Sequence, residues 1–457
     1  MAATLALDIW MNGVQVGTWE RLRSIADRLI YSPEWINSAE GRPLSLSLPF
    51  SSAHGRPGEK LSLRGDKVAA YFENLIPDNE RILQRLRDRY SARSMAPFDL
   101  LAAVGRDCVG AIQLVPAGAD PGDIRQIEST ALDDAGVAKV LRHTTVSRQP
   151  GEVLDDDTFR LSIAGAQEKP ALLRHEGRWC IPHGTNPSTH IFKLPLGLVG
   201  NVQADMRQSV ELEWLCMELA REYGLPVAHV EIGQFEEQKA LIVERFDRKL
   251  AADGNYWLRI PQEDFCQVTG LPPSRKYESD SGPGIRQIMD ILRGSEQAEL
   301  DRANFFRTQL LFWALAATDG HAKNFSVRLL LDGRYQLTPP YDILSTYPIQ
   351  GRKPHLFDPR NSRLAMAVEG RNRHCTLHEI HRWHWVAMAE SLGLVSGAEP
   401  IIAELIEHTP TVFDTVAERL PEYFAMALFD SVRAGTMAAI KRLARESERR
   451  ARADRPA

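Results

Sequence analysis

The stretch from Phe305 to Thr318 constrains the fold more than any other part of this 457-residue chain. Its apolar residues fall on nearly every side of a helical wheel, so the spacing predicts a helix in the middle of a core rather than on its surface. The strongest apolar run within it, Leu310 to Ala317, is far too short to cross a bilayer. The helix runs straight into Asp319-Gly-His-Ala-Lys-Asn324, a loop dense in functional groups.

Apolar residues make up 44% of the chain and charged residues 25%, an ordinary globular composition. That excludes a disordered chain, a collagen-like repeat and a disulfide-stapled miniprotein. Lys and Arg number 55 against 60 Asp and Glu, a net charge of -5, so bulk electrostatics does not hold nucleic acid; any such contact is local or comes through a partner. The five cysteines, Cys108, Cys180, Cys216, Cys266 and Cys375, form no C-x-x-C unit and read as small buried hydrophobes in a reducing compartment. The N-terminus lacks a basic n-region and its apolar run stops at Asp8, so a cytoplasmic protein with no signal peptide and no membrane contact is expected.

A length of 457 residues suggests about three domain-sized units. The first third mixes strands and helices: a hairpin over Leu5 to Val16 about Asn12-Gly13, helices over Lys67 to Asn74 and Asp78 to Tyr90, and a strand over Ile112 to Val115. From 158 the order becomes strand, small-residue turn Ala164 to Lys169, hairpin 170–181, a lysine-bearing strand Thr189 to Leu194, and a helix Ser209 to Tyr223. The strand Ala240 to Val243 then leads into Glu244-Arg-Phe-Asp247. Beyond 259 the chain reads as mostly helical, with a hairpin about Asp332-Gly333 ending at Pro339-Pro-Tyr-Asp342. The tail 441–457 carries seven basic and three acidic residues and reads as a frayed, solvated helix end.

Phosphoryl transfer needs a backbone cradle for phosphates, a cation on them, oxygen ligands for Mg²⁺ and a carboxylate near the incoming hydroxyl. The chain offers each in the order protein kinases use. Ala164 to Lys169 is the candidate phosphate loop, Lys193 the phosphate-pairing lysine, and Glu213 a possible salt-bridge partner for it, although a solvated helix carboxylate is the more common situation. Asp319 and Asn324 have the five-residue separation of H-R-D-x-x-x-x-N, and Asp342 follows a hairpin, where kinases place a Mg²⁺-binding Asp. Each piece alone has a bland alternative. The A-G-A-Q turn can be only a turn, and a strand lysine can sit at an edge with its head in water. Asp319-Gly320 can be a helix C-terminal turn, Asp342 a capping residue, and His321 a packed histidine. The conjunction favours the kinase reading.

Several blocks go beyond pattern. Ser162-Ile-Ala-Gly-Ala-Gln-Glu-Lys169, Thr189-His-Ile-Phe-Lys-Leu-Pro195, Val243-Glu-Arg-Phe-Asp-Arg248, Pro261 to Asp264, Lys276-Tyr-Glu-Ser-Asp280, Ala317 to Ser326 and Leu337 to Asp342 closely resemble the HipA family of serine/threonine kinase toxins. So do Arg42 to Pro49, Tyr71 to Asp78 and Pro97 to Leu100, which extends the resemblance over residues 1 to about 440. It implies a two-lobed, protein kinase-like α+β fold. A mixed α/β N-terminal lobe would carry an extra N-terminal subdomain and be followed by a mostly helical C-terminal lobe. The implied divisions are an accessory subdomain 1–118, a connection 119–157, a small lobe 158–258, a catalytic lobe 259–440 and a basic tail 441–457.

The resemblance also implies the toxin of a type II toxin–antitoxin pair. Such a toxin uses ATP and Mg²⁺ to phosphorylate an aminoacyl-tRNA synthetase, glutamyl-tRNA synthetase in the founding case, so that translation slows and cells become dormant. By the same token Asp319 is the catalytic base and Asn324 and Asp342 are the metal ligands. Lys193 holds the ATP phosphates, and Ala164, Gly165, Ala166, Gln167, Glu168 and Lys169 form the phosphate loop. Glu244, Arg245 and Phe246 line the adenine, and His321, Lys323 and Tyr341 lie close to the nucleotide. Ser162 matches the family's autophosphorylation site, where added phosphate charge would disfavour the docked loop. The implied partner is a HipB-type helix-turn-helix antitoxin, with operator DNA reached through it. Glu390 and Gly393 stand where the family can place basic DNA contacts, which argues against direct contact there; Arg371 and Arg373 are possible substitutes. Two rivals are a non-catalytic nucleotide-binding corepressor acting with a DNA-binding antitoxin, and a small-molecule kinase.

Overall fold

The computed structural model describes residues 5–22, 25–50, 61–145, 161–162 and 169–453. The chain is α+β, as expected, and divides into two compact units: 1–194 with 233–276 and 326–335, and 195–232 with 277–325 and 336–457.

Among the described residues the first unit holds two large sheets and smaller strand pairs. One is an antiparallel run of Ser62–Arg64, Ile25–Tyr31, Val14–Leu22, Leu5–Met11 and Ile112–Pro116. Its hairpin turns at Asn12-Gly13, both at positive φ (47° and 82°), the left-handed geometry that tight hairpins require. Leu7, Ile9 and Met11 alternate into the core, where Trp19 stacks on Phe72 with ring centroids 3.9 Å apart. Phe72 comes from helix Asp66–Glu73. The next helix starts at Glu80 rather than Asp78 because Asn79 is its cap: the Asn79 side chain accepts from the Arg81 amide at 3.0 Å.

The second sheet runs in the order Val230–Phe235, Gln238–Glu244, His190–Lys193, Lys169–His175, Arg178–Pro182, Ser129–Leu132, with Leu161–Ser162 paired to Lys169 and Pro170. The expected connection 119–157 is therefore in part structured. It contributes strand Ser129–Leu132 and helix Asp134–Thr145, whose Val137, Ala138 and Leu141 pack on Leu172, Phe192 and Ile242. Both sheets belong to one unit, so the accessory subdomain and small lobe read as separate divisions of the sequence are joined.

A buried ionic cluster supplies the join. Asp107 accepts from Ser188 Oγ at 2.6 Å and pairs with Arg248 at 3.1 Å and Arg259 at 3.5 Å, while Asp247 takes the Arg245 guanidinium at 2.9 Å and the Gly110 amide at 2.8 Å. Burial alone would raise the Asp247 carboxyl, but Arg245 and Arg248 outweigh it and hold it at about 2.

A second buried carboxyl behaves in the opposite way. Glu263, on strand Gln262–Asp264, is fully buried and accepts from the Leu46 amide at 2.8 Å; burial, with the Asp264 carboxylate nearby, raises it to about 8. A folded-state pKa above the unfolded value of 4.5 means the folded chain holds the proton more tightly. Stability from this group is thus full below about 4.5 and falls as pH rises towards about 8. Glu263→Gln should match the parent in thermal unfolding at acid pH and exceed it above neutrality, by an amount on the order of 4 kcal/mol at the alkaline plateau. Identical pH slopes for the two proteins would refute a buried neutral acid.

The second unit is mainly helical, with helices Ser209–Glu222, Ala298–Ala314, Arg382–Leu392, Glu399–Ala417 and Met426–Ala453. The all-round apolar helix occupies its core: Phe305, Phe306, Leu310, Leu311, Phe312 and Trp313 are buried. It begins at Ala298, earlier than Phe305, because Asp301 and Arg302 are buried against partners far along the chain; Asp301 accepts from the Leu337 amide at 2.9 Å and Arg302 donates to the Leu392 carbonyl. The basic tail is not a frayed end as far as residue 446. Glu446 accepts from His381 Nδ1 and the Arg382 amide, both at 2.7 Å, and Arg442 lies over the Trp313 ring. Among the described residues no helix is long and apolar enough to cross a membrane, and four of the five cysteines are buried, with Cys375 partly so.

Candidate active site

The candidate catalytic loop, residues 319–324, is shaped by the end of helix Ala298–Ala314. Ala316 adopts φ 50°, which stops the helix there rather than at Thr318. The freed carbonyls find side-chain donors: Ser345 Oγ donates to Leu315 O at 2.6 Å and Thr346 Oγ1 to Ala316 O at 2.7 Å. These bonds draw the segment after Asp342 onto the residues before Asp319. Gly320 is required by packing, since a Cβ there would fall 2.3 Å from the Phe312 ring.

Within the loop, Asn324 Nδ2 donates to the Asp319 carbonyl at 3.0 Å, and the His321 amide donates to the same carbonyl at 2.8 Å. Donation through Nδ2 leaves the amide oxygen Oδ1, a hard acceptor, on its other side. Tyr341 Oη donates to Lys323 O at 2.9 Å, tying the Asp342 segment to the loop again. Asp342 itself adopts φ 61°, a conformation a non-glycine residue holds only when its surroundings enforce it. His321, Lys323 and Asn324 are buried, Tyr341 and Asp342 are half-buried, and Asp319 is exposed. The second unit thus brings together Asp319, His321, Lys323, Asn324, Tyr341 and Asp342.

The first unit holds the rest of the described set. Lys193 ends strand His190–Lys193, opposite Leu241, and is buried in a central strand rather than placed at an edge. Glu244, opposite His190, is exposed, and the Arg245 amide extends the ladder to Thr189 O at 2.9 Å. The Arg245 side chain is committed to the buried cluster with Asp247, Ser188 and the Cys108 carbonyl, which leaves its backbone as the part able to line a nucleotide. Phe246 is half-buried. Ser162 and Lys169 are paired Cα partners; Ala164, Gly165, Ala166, Gln167 and Glu168 lie outside the described residues, as does the Ser162 side chain. Glu213, read as a solvated carboxylate, is instead buried on helix Ser209–Glu222, most of which is inside the second unit.

Residues 7–115 match the HipA N-terminal domain and residues 161–413 the HipA-like C-terminal domain. The chain belongs to the HipA family. A relative from Sinorhizobium fredii, named as a candidate kinase, is 30% identical over 89% of this chain and 93% of its own length. The serine/threonine-protein kinase toxin HipA of Shewanella oneidensis is 29% identical over 86% of this chain and 84% of its own. A solved HipA from Shewanella oneidensis, in a complex with HipB and its operator DNA, superposes with a TM-score of 0.76 at 24% identity, covering 96% of this chain and 97% of that one. The α+β, kinase-like HipA fold expected from the motifs is therefore the fold of this chain.

One contact of this HipA-family site escaped the sequence reading. Tyr277 Oη donates to Asp319 Oδ1 at 2.7 Å, and its ring meets His321 edge-on at 5.0 Å. Tyr277 lies inside the Lys276-Tyr-Glu-Ser-Asp280 block that carried the resemblance, but a lone tyrosine far from the loop in sequence has no spacing to betray it. Arg373, considered for DNA contact, pairs with Glu278 at 2.5 Å. Glu390 is exposed and Gly393 is a left-handed helix cap.

Proposed function

We propose that this HipA-family chain is an ATP- and Mg²⁺-dependent serine/threonine protein kinase acting as the toxin of a toxin–antitoxin pair. The observation that carries this reading is the closed loop in which Asn324 is bonded to the Asp319 carbonyl, with the Asp342 segment tied to the same loop through Tyr341. The names of the relatives, a kinase and a kinase toxin, support it.

The donor set fits Mg²⁺: an amide oxygen from Asn324 and a carboxylate from Asp342 are hard ligands that leave room for water and phosphate oxygens. When bound, the ion neutralises charge on the phosphates of ATP. Asp319, exposed beside these groups, accepts the proton of the acceptor hydroxyl. Lys193 supplies a cation to the phosphates, with Ala164 to Lys169 as the loop over them. The backbone of Glu244 to Phe246 lines the base, and His321, Lys323 and Tyr341 frame the nucleotide. Phosphate placed on Ser162 switches the kinase off, a HipB-type antitoxin restrains it and carries the operator DNA, and the protein works in the cytoplasm. The proposed target is an aminoacyl-tRNA synthetase, glutamyl-tRNA synthetase first, whose loss arrests growth and yields persistence.

Incubation of the full chain with ATP, Mg²⁺ and glutamyl-tRNA synthetase should add phosphate to the synthetase and stop tRNA charging. Labelling of a different synthetase would overturn the target, and labelling of no protein would overturn the kinase. In the same assay Ser162→Ala should lose most self-labelling; undiminished labelling places the site elsewhere.

A further inference from the structure

We infer that Tyr277 is a positioning residue that orients the catalytic carboxylate through its hydroxyl; this rests on the reading of Asp319 as the base. Asp319 is exposed, and an exposed carboxylate samples several rotamers, which lowers the fraction of time it faces an acceptor hydroxyl. A donor fixed at 2.7 Å from Oδ1 removes that freedom and directs the second oxygen to the acceptor.

The donor is itself fixed. The amides of Asp280 and Gly282 both donate to the Tyr277 carbonyl, at 3.0 and 2.9 Å, winding the following residues into a tight turn. The next side chain, Glu278, accepts from the Ala367 amide at 2.5 Å on strand Arg363–Glu369 and pairs with Arg373 at 2.5 Å. Gly284 makes room for that carboxylate, because a Cβ there would lie 2.2 Å from Glu278 Oε1. Tyr277 therefore projects from a segment clamped to a strand, and its ring rests against His321 of the catalytic loop, centroids 5.0 Å apart at 83°. None of these contacts is needed to bury Tyr277, which stays half-exposed. Their common effect is to hold one oxygen in place beside the base.

The test uses the full chain transferring label from γ-labelled ATP to protein in a lysate depleted of ATP. Tyr277→Phe keeps the ring on His321 and removes only the hydroxyl. It should lower kcat roughly tenfold and leave KM for ATP within about twofold. Glu278→Gln loosens the clamp while retaining the hydroxyl, and should lower kcat by less with KM for ATP again unchanged; it carries the test if the first variant does not fold. An unchanged kcat, or a loss of kcat matched by a rise in KM, would reduce Tyr277 to a packing residue, and a faster variant would make its hydroxyl a block on the site. Either outcome overturns the inference. Asp319→Asn separates the two levels: if that variant still transfers phosphate the base reading fails, whereas an inactive one beside a wild-type Tyr277→Phe leaves the base standing and removes only its positioning.

Discussion

Asp319→Asn should abolish growth arrest and slow phosphate transfer by about 10²–10⁴-fold, the range a general base contributes. The amide keeps the shape of the carboxylate and can still accept the Tyr277 hydroxyl, so the loop should be undisturbed. What it loses is the capacity to take a proton from the acceptor. Because Asp319 is exposed, and the amide retains both the backbone bonds of the loop and an oxygen for the Tyr277 hydroxyl, the variant should unfold with the same midpoint as the parent. Rates of label transfer and denaturant midpoints measured together decide the matter. A variant that stays toxic and active sinks the kinase mechanism, and one that loses stability in step with activity makes Asp319 structural.

The second large effect is on folding. Asp107 balances Arg248 and Arg259 from one side of the buried cluster, and Asp247 balances Arg245 and Arg248 from the other. Asp107→Asn is nearly isosteric but leaves three buried guanidiniums, Arg245, Arg248 and Arg259, facing one carboxylate. Uncompensated buried charge costs about 3–5 kcal/mol. The cost should appear as a lower urea midpoint for the unit that contains both sheets, with little effect at Asp319 in the other. An unchanged midpoint would show that the cluster does not hold the accessory sheet to the lysine-bearing one.

Much of the fold was legible because its signals are local. Asn12-Gly13 announces a hairpin through the φ values such turns need, and the structure places both residues at positive φ. The helix ending before Asp319 was visible from an apolar content that no surface helix carries. Its true start at Ala298 was hidden, because Asp301 and Arg302 look like surface residues until their distant partners Leu337 and Leu392 are known. The same blindness explains Glu213 and the tail. A charged side chain in sequence carries the expectation of water, and only tertiary contacts reveal that Glu213 is buried or that Glu446 caps the helix beginning at Arg382.

By itself, then, the order of residues determined the family, the α+β class and the pieces of the candidate site, since each motif is a short run whose chemistry and backbone needs are written within it. The tertiary structure alone decided which charges are buried, that the two sheets share one unit, and that Tyr277 stands beside Asp319. Those facts depend on partners tens to hundreds of positions apart, and no local pattern encodes a hydrogen bond between residues that only folding brings within 3 Å.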